Sequence, residues 1–131
     1  MSIPPDHVRL FVACEVPEDV RESIGGIIET LRSRSGQAVR WIRPEGVHVT
    51  LKFLGDVEDR DVYGICQAVG RAVADVRPFH SYCRGVGAFP HHRRPRTLWL
   101  GLEDRAGQLA DLQNRVEEAL VERGYPREVR Q

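Results

Sequence analysis

The chain is 131 residues long and carries 19 basic and 19 acidic side chains, so its formal net charge is zero. That length suits one domain with a real core, and a neutral total argues against nonspecific wrapping of a long duplex while leaving room for a local basic patch. No apolar run reaches the ~20 residues that span a bilayer, and three widely spaced cysteines (Cys14, Cys66 and Cys83) form neither a CxxC pair nor a disulfide framework.

Residues 8–16, VRLFVACEV, predict a strand. Leu10, Val12, Cys14 and Val16 face one way, and Phe11 and Ala13 make the other face apolar too, as in a strand covered on both sides. Pro17, Glu18 and Asp19 then open a helix, because proline is tolerated at the first helical position and acids suit the first turn. Val20, Ile24, Ile27, Ile28 and Leu31 make its apolar stripe, while Gly25 and Gly26 each weaken it by roughly 1 kcal/mol relative to Ala. The polar RSRSGQ is expected to end it.

VRWIR, residues 39–43, predicts a short strand, and PEGV a turn. Residues 47–54 form the next expected strand, closed by Gly55 and Asp56. A second helix spans 59–76, with Val62, Ile65, Val69 and Val73 on one side and Pro78 as its stop. Residues 79–89, FHSYCRGVGAF, read as a strand whose glycines invite a bulge. The basic loop PHHRRPR separates it from the strand TLWLGL at 97–102. A third helix over 106–122 turns Leu109, Leu112, Val116 and Leu120 inward, with Gly124 as its C-cap. The order predicts an α+β fold with a rough internal duplication, helices covering one face of each antiparallel sheet. No strand follows the third helix, so the reading expects one or two strands to be missing there.

The chemistry concentrates in GVHVTLKFLG, residues 46–55. In a strand, residues two apart share a face. His48, Thr50 and Lys52 are therefore expected on one side, opposite Val47, Val49, Leu51 and Phe53. Histidine gives or takes a proton near neutral pH, threonine can donate to a phosphate oxygen, and Lys52 adds charge or simply faces solvent. On its own, His-x-Thr also fits ordinary residues of a half-exposed sheet face. Arg93, Arg94 and Arg96 could grip phosphate bidentately, although a solvated basic loop reads the same way. Trp41, Phe89 and Trp99 could stack on bases, with core packing the default for Trp99. There is no HExxH, no paired-cysteine motif, no GxxxxGK[ST] loop and no GxGxxG loop, so no metal or nucleotide cofactor is expected.

The ordered series RLFVACEVPEDVRESI, VRWIRPEGVHVTLKFLGDV and GVGAFPHHRRPRTLWLGL resembles the bacterial and archaeal RNA 2′,3′-cyclic phosphodiesterases. These are also described as 2′-5′ RNA ligases, within the two-histidine phosphoesterase superfamily. The resemblance implies two similar lobes around a central groove, each contributing a His-x-Thr motif. It implies His48 as proton donor, Thr50 as the residue stabilising the phosphate, and a second histidine activating water. The implied activity converts RNA 2′,3′-cyclic phosphate ends to 2′-phosphomonoesters without cofactor, with 2′-5′ ligation as a related reaction. RNA ends or small cyclic nucleotides are the implied partners.

The chain is thus expected to be a single two-histidine phosphoesterase-like domain over residues 1–131. It is read as incomplete at the C-terminus, since no second His-x-Thr is present. Intact flanks around His48 favour missing strands over a degenerate protein. A noncatalytic RNA- or phosphate-binding domain that kept half the site is the alternative. A complete chain is expected to be monomeric, with a truncated edge prone to association. No signal peptide pattern is visible, so the cytoplasm, away from membranes, is the expected location.

Overall fold

The computed structural model describes residues 5–35, 40–89 and 97–128. In chain order the elements are β1 (His7–Glu15), α1 (Glu18–Ser35), a 3-10 turn (Pro44–Gly46), β2 (His48–Glu58), α2 (Asp59–Val73), β3 (Tyr82–Phe89), β4 (Thr97–Glu103) and α3 (Gln108–Val121). This is an α+β fold of antiparallel sheets and helices. The chain divides at the Asp59–Arg60 peptide into two units, and each holds one two-stranded antiparallel sheet, β1–β2 in the first and β3–β4 in the second.

In the first unit, α1 begins with Glu18 and Asp19 and ends with Arg32 and Arg34, charges that complement the helix dipole at both ends. The helix runs further than its polar tail suggests. Ser33 Oγ donates to the Thr30 carbonyl at 2.8 Å, so the serine satisfies its hydroxyl inside the helix instead of breaking it. The expected strand at 39–43 is not formed: residues 40–43 are irregular and lead into the 3-10 turn, while Val39 lies outside the described residues. Among the described residues of this unit, the buried apolar side chains are Ile24, Leu51 and Val57.

The β1–β2 ladder departs from simple alternation. Ala13 pairs with Thr50 but Val12 pairs with Lys52, which leaves Leu51 as an extra residue. Phe11 pairs with Phe53 but Leu10 pairs with Gly55, which leaves Leu54 extra in the same way. Each such bulge shifts the phase of the strand by one residue. Two expectations are thereby corrected. Phe53 is 64% exposed instead of core-facing, and Lys52 is 1% exposed instead of standing beside His48 and Thr50. The strand also continues through Gly55 and Asp56 to Glu58, with Gly55 at φ +76°.

In the second unit, Ile65, Leu112, Val116 and Leu120 are buried. Full burial of an aliphatic side chain is worth about 1.5–3 kcal/mol, so α3, which supplies three of the four, is the main apolar element here. Asp104 caps it, accepting from the Leu109 and Ala110 amides at 2.9 Å each. Its other end closes on Gly124 at φ +94°, with Gly124 N–H on the Val121 carbonyl at 3.0 Å and Tyr125 N–H on the Leu120 carbonyl at 2.9 Å. The bulge expected in β3 is present between Cys83 and Val86, with Gly85 at φ +82°.

Candidate active site

The turn before β2 sets the first functional side chain. Gly46 N–H bonds to the Arg43 carbonyl at 2.9 Å and Val47 N–H to the Pro44 carbonyl at 3.1 Å. The Gly46 carbonyl in turn accepts from His48 Nδ1 at 3.0 Å. A carbonyl can only accept, so this contact assigns the proton to Nδ1. Nε2 is then the ring nitrogen without that proton, on an exposed side chain.

Register decides what stands beside it. Directly opposed residues of an antiparallel pair point to the same side. Glu15 opposes His48, Ala13 opposes Thr50 and Phe11 opposes Phe53, so these six share one side of the sheet. Cys14 with Val49 and Val12 with Lys52 take the other. The rings agree: Phe11 lies 6.2 Å from His48, edge to face, and 6.1 Å from Phe53. His48 and Thr50 therefore emerge together, about 7 Å apart along the strand by its rise, beside an apolar wall and a carboxylate-bearing position. Sequence reasoning missed Phe53, Phe11 and Glu15 as neighbours of His48, because cross-strand register and bulges are nonlocal.

Other candidates fall elsewhere. His7 opposes Glu58 at the far end of the same ladder, about 26 Å of strand from Glu15. Its pKa is raised, first by the Pro5 carbonyl and then by the Asp6 carboxylate, each 3.3 Å from Nδ1. His80 lies exposed in the irregular segment before β3. Cys14 is half-buried, and burial pushes its thiol pKa up, which disfavours the nucleophilic thiolate. His91, His92, Arg93, Arg94 and Arg96 lie outside the described residues. Trp41 is half-buried, and Trp99 is 50% exposed, contrary to its expected place in the core; the Phe89 side chain is not among those described. Among the described residues no three His, Cys, Asp or Glu side chains are grouped to hold a metal ion, and no helix is long and apolar enough to cross a membrane.

Residues 15–99 match the family model described as LigT like phosphoesterase, and the chain belongs to this family. It is 36% identical over 121 residues to an RNA 2′,3′-cyclic phosphodiesterase of Archaeoglobus fulgidus, covering 92% of this chain and 66% of that protein. It is likewise 36% identical over 118 residues to an RNA 2′,3′-cyclic phosphodiesterase of Methanothermobacter thermautotrophicus, covering 90% and 63%. Among solved structures, E. coli LigT complexed with 3′-AMP superposes with a TM-score of 0.72 at 25% identity, over 95% of this chain and 68% of that one. A Thermus thermophilus protein gives a TM-score of 0.70 at 28% identity, over 88% and 61%. The chain thus spans just under two thirds of the length of these two curated relatives.

Proposed function

We propose that this chain carries the leaving-group side of an RNA 2′,3′-cyclic phosphodiesterase active site. The reading rests chiefly on His48, held through Nδ1 by the Gly46 carbonyl and standing with Thr50 on one side of β1–β2. The relatives named as RNA 2′,3′-cyclic phosphodiesterases support it, as does the neighbour solved with 3′-AMP. In this reaction water adds to phosphorus and the bond from phosphorus to O3′ breaks. The departing O3′ takes a proton from Nε2 of the His48 imidazolium, which returns to the neutral ring with Nδ1–H still on the Gly46 carbonyl, and the phosphate stays on O2′. The Thr50 hydroxyl donates a hydrogen bond to a nonbridging oxygen, and Arg93, Arg94 and Arg96 supply positive charge to the phosphate. Attack by a 5′-hydroxyl in place of water gives a 2′-5′ linkage.

Activation of water requires a second proton acceptor. These 131 residues contain one His-x-Thr, and one acid–base group is worth about 10²- to 10⁴-fold, so turnover by these residues alone is expected to be slow. That same count favours a second reading, an RNA- or phosphate-binding domain without turnover. The deciding experiment follows a short RNA ending in a 2′,3′-cyclic phosphate, with the parent chain and with His48→Ala, at several salt concentrations. A 2′-phosphate product formed by the parent and lost in His48→Ala is expected. Equal product from both would remove His48 from the mechanism, and salt-sensitive binding without product would favour the binding domain.

A further inference from the structure

We propose that Gly25 is a positioning residue for His48: its lack of a side chain lets α1 seat Pro44, and through Pro44 the turn that holds the imidazole. Only the kinetic arm of its test rests on the reading of His48 as proton donor. A Cβ placed on Gly25 would lie 3.2 Å from Pro44 Cγ and 3.8 Å from Pro44 Cβ, whereas one on Gly26 would meet nothing within 4 Å. Alanine is the better helix former at both positions. The close approach gives a reason for glycine at 25 that is missing at 26.

The path from Pro44 to His48 has little slack. The proline ring fixes φ, and the Gly46 and Val47 amides are tied back to the Arg43 and Pro44 carbonyls. The α1 helix contacts this turn directly. Beyond the turn, the Gly46 carbonyl receives Nδ1–H of an exposed ring whose aromatic neighbour, Phe11, touches it edge-on at 6.2 Å. A displacement of Pro44 by a few tenths of an ångström therefore reaches the acceptor that orients the imidazole.

The test uses the full 131-residue chain and five variants: Gly26→Ala, Gly25→Ala, Gly25→Val, Pro44→Ala, and Gly25→Ala combined with Pro44→Ala. Thermal melting checks folding, and ¹⁵N NMR of the His48 ring reads which nitrogen carries the proton. Gly26→Ala should raise the melting temperature and leave the ring signals in place. Gly25→Ala should shift the ring away from a pure Nδ1–H tautomer, and Gly25→Val should do so further. The double variant should match Pro44→Ala alone, because without Cγ the new methyl has nothing to push. Cyclic-phosphate hydrolysis should lose about tenfold in kcat for Gly25→Ala and about 100-fold for Gly25→Val, with KM within about twofold, and the double variant should match Pro44→Ala alone. Ring signals in Gly25→Ala identical to those in Gly26→Ala, or a further shift when Gly25→Ala is added to Pro44→Ala, would overturn the proposal. Should Gly25→Val fail to fold, the comparison of the two alanine variants decides it. Should the parent hydrolyse nothing, the proposed function falls and the ring tautomer still decides this point.

Discussion

The two sheets share a plan and differ in use. Each is a two-stranded antiparallel pair with at least one bulge. On β3–β4, Tyr82 opposes Glu103 and Gly87 opposes Trp99, whose indole packs over the glycine so closely that a Cβ there would collide with it. Glu103 meets Arg84 Nη1 at 3.3 Å and Arg105 Nε at 2.9 Å, and the Arg105 guanidinium sits 5.3 Å above the Tyr82 ring. The charges of that sheet are matched among themselves. On β1–β2 His48 and Thr50 share a side with Phe11 by two-residue spacing, the bulge at Leu51 adds Phe53 to that side, and the imidazole is bonded through Nδ1 to a main-chain carbonyl. Two antiparallel pairs of the same plan thus present different faces, one of matched charges and one with an imidazole and a hydroxyl beside aromatic rings.

This contrast can be broken most decisively at His48. His48→Ala should lower hydrolysis by about 10²-fold or more with an unchanged melting temperature, since the side chain is exposed. A loss as large from Glu103→Gln would erase the distinction between the sheets. Next in size is Leu51→Ala, which should cost about 2–5 kcal/mol in denaturant titrations, because Leu51 is 4% exposed; its activity should fall in parallel with the folded fraction. Phe53→Ala sharpens the account of the bulge. A core phenylalanine costs about 3–5 kcal/mol on truncation, but Phe53 is 64% exposed and should cost under about 1 kcal/mol. Denaturation of Glu103→Gln should reveal about 1 kcal/mol or less, shrinking further at high salt, as surface ion pairs do.

The smallest effect concerns Cys14. Its thiol pKa is raised by burial, whereas Cys66 and Cys83 are exposed. Alkylation followed by mass spectrometry should modify Cys14 last. The folded state holds that proton to higher pH than the unfolded chain does. The associated stability is therefore complete below the ordinary thiol range and declines as pH rises through the raised value. Melting temperatures of Cys14→Ala and the parent should accordingly converge in alkaline solution.

Helices and strands with strong local periodicity were legible from the residues alone. The cap of α3 is Glu122, two residues before the expected Gly124, yet the left-handed turn at Gly124 and the glycine bulge in β3 followed from backbone chemistry that single residues encode. His48 and Thr50 were legible as a pair because two-residue spacing survives up to the first bulge. Lys52 and Phe53 were placed on the wrong sides because Leu51, itself apolar, interrupts the alternation without any compositional mark. VRWIR resembles a strand in β propensity, yet its described part is irregular and the turn after it packs on α1, a tertiary contact that propensity does not register. Glu15 opposite His48 needed a pairing between residues 33 positions apart in sequence. Arg93, Arg94 and Arg96 remain a reading of charge in the sequence, outside the described residues.

The two bulges also have a geometric consequence. Strand β1 has 9 residues and β2 has 11, and the surplus of 2 equals the two extra leucines, Leu51 and Leu54. At a rise of about 3.3 Å per residue this is roughly 7 Å of additional contour along one rail of the ladder. A ladder with unequal rails cannot lie flat, so β2 must bend or coil against β1. Deleting Val49 would invert the sidedness of His48 relative to Thr50. Deleting Leu51 would instead shorten the longer rail, leave those two side by side, and return Lys52 and Phe53 to simple alternation with Thr50. One strand therefore contains a position where losing a residue separates His48 from Thr50 and another where the same loss relaxes the curve.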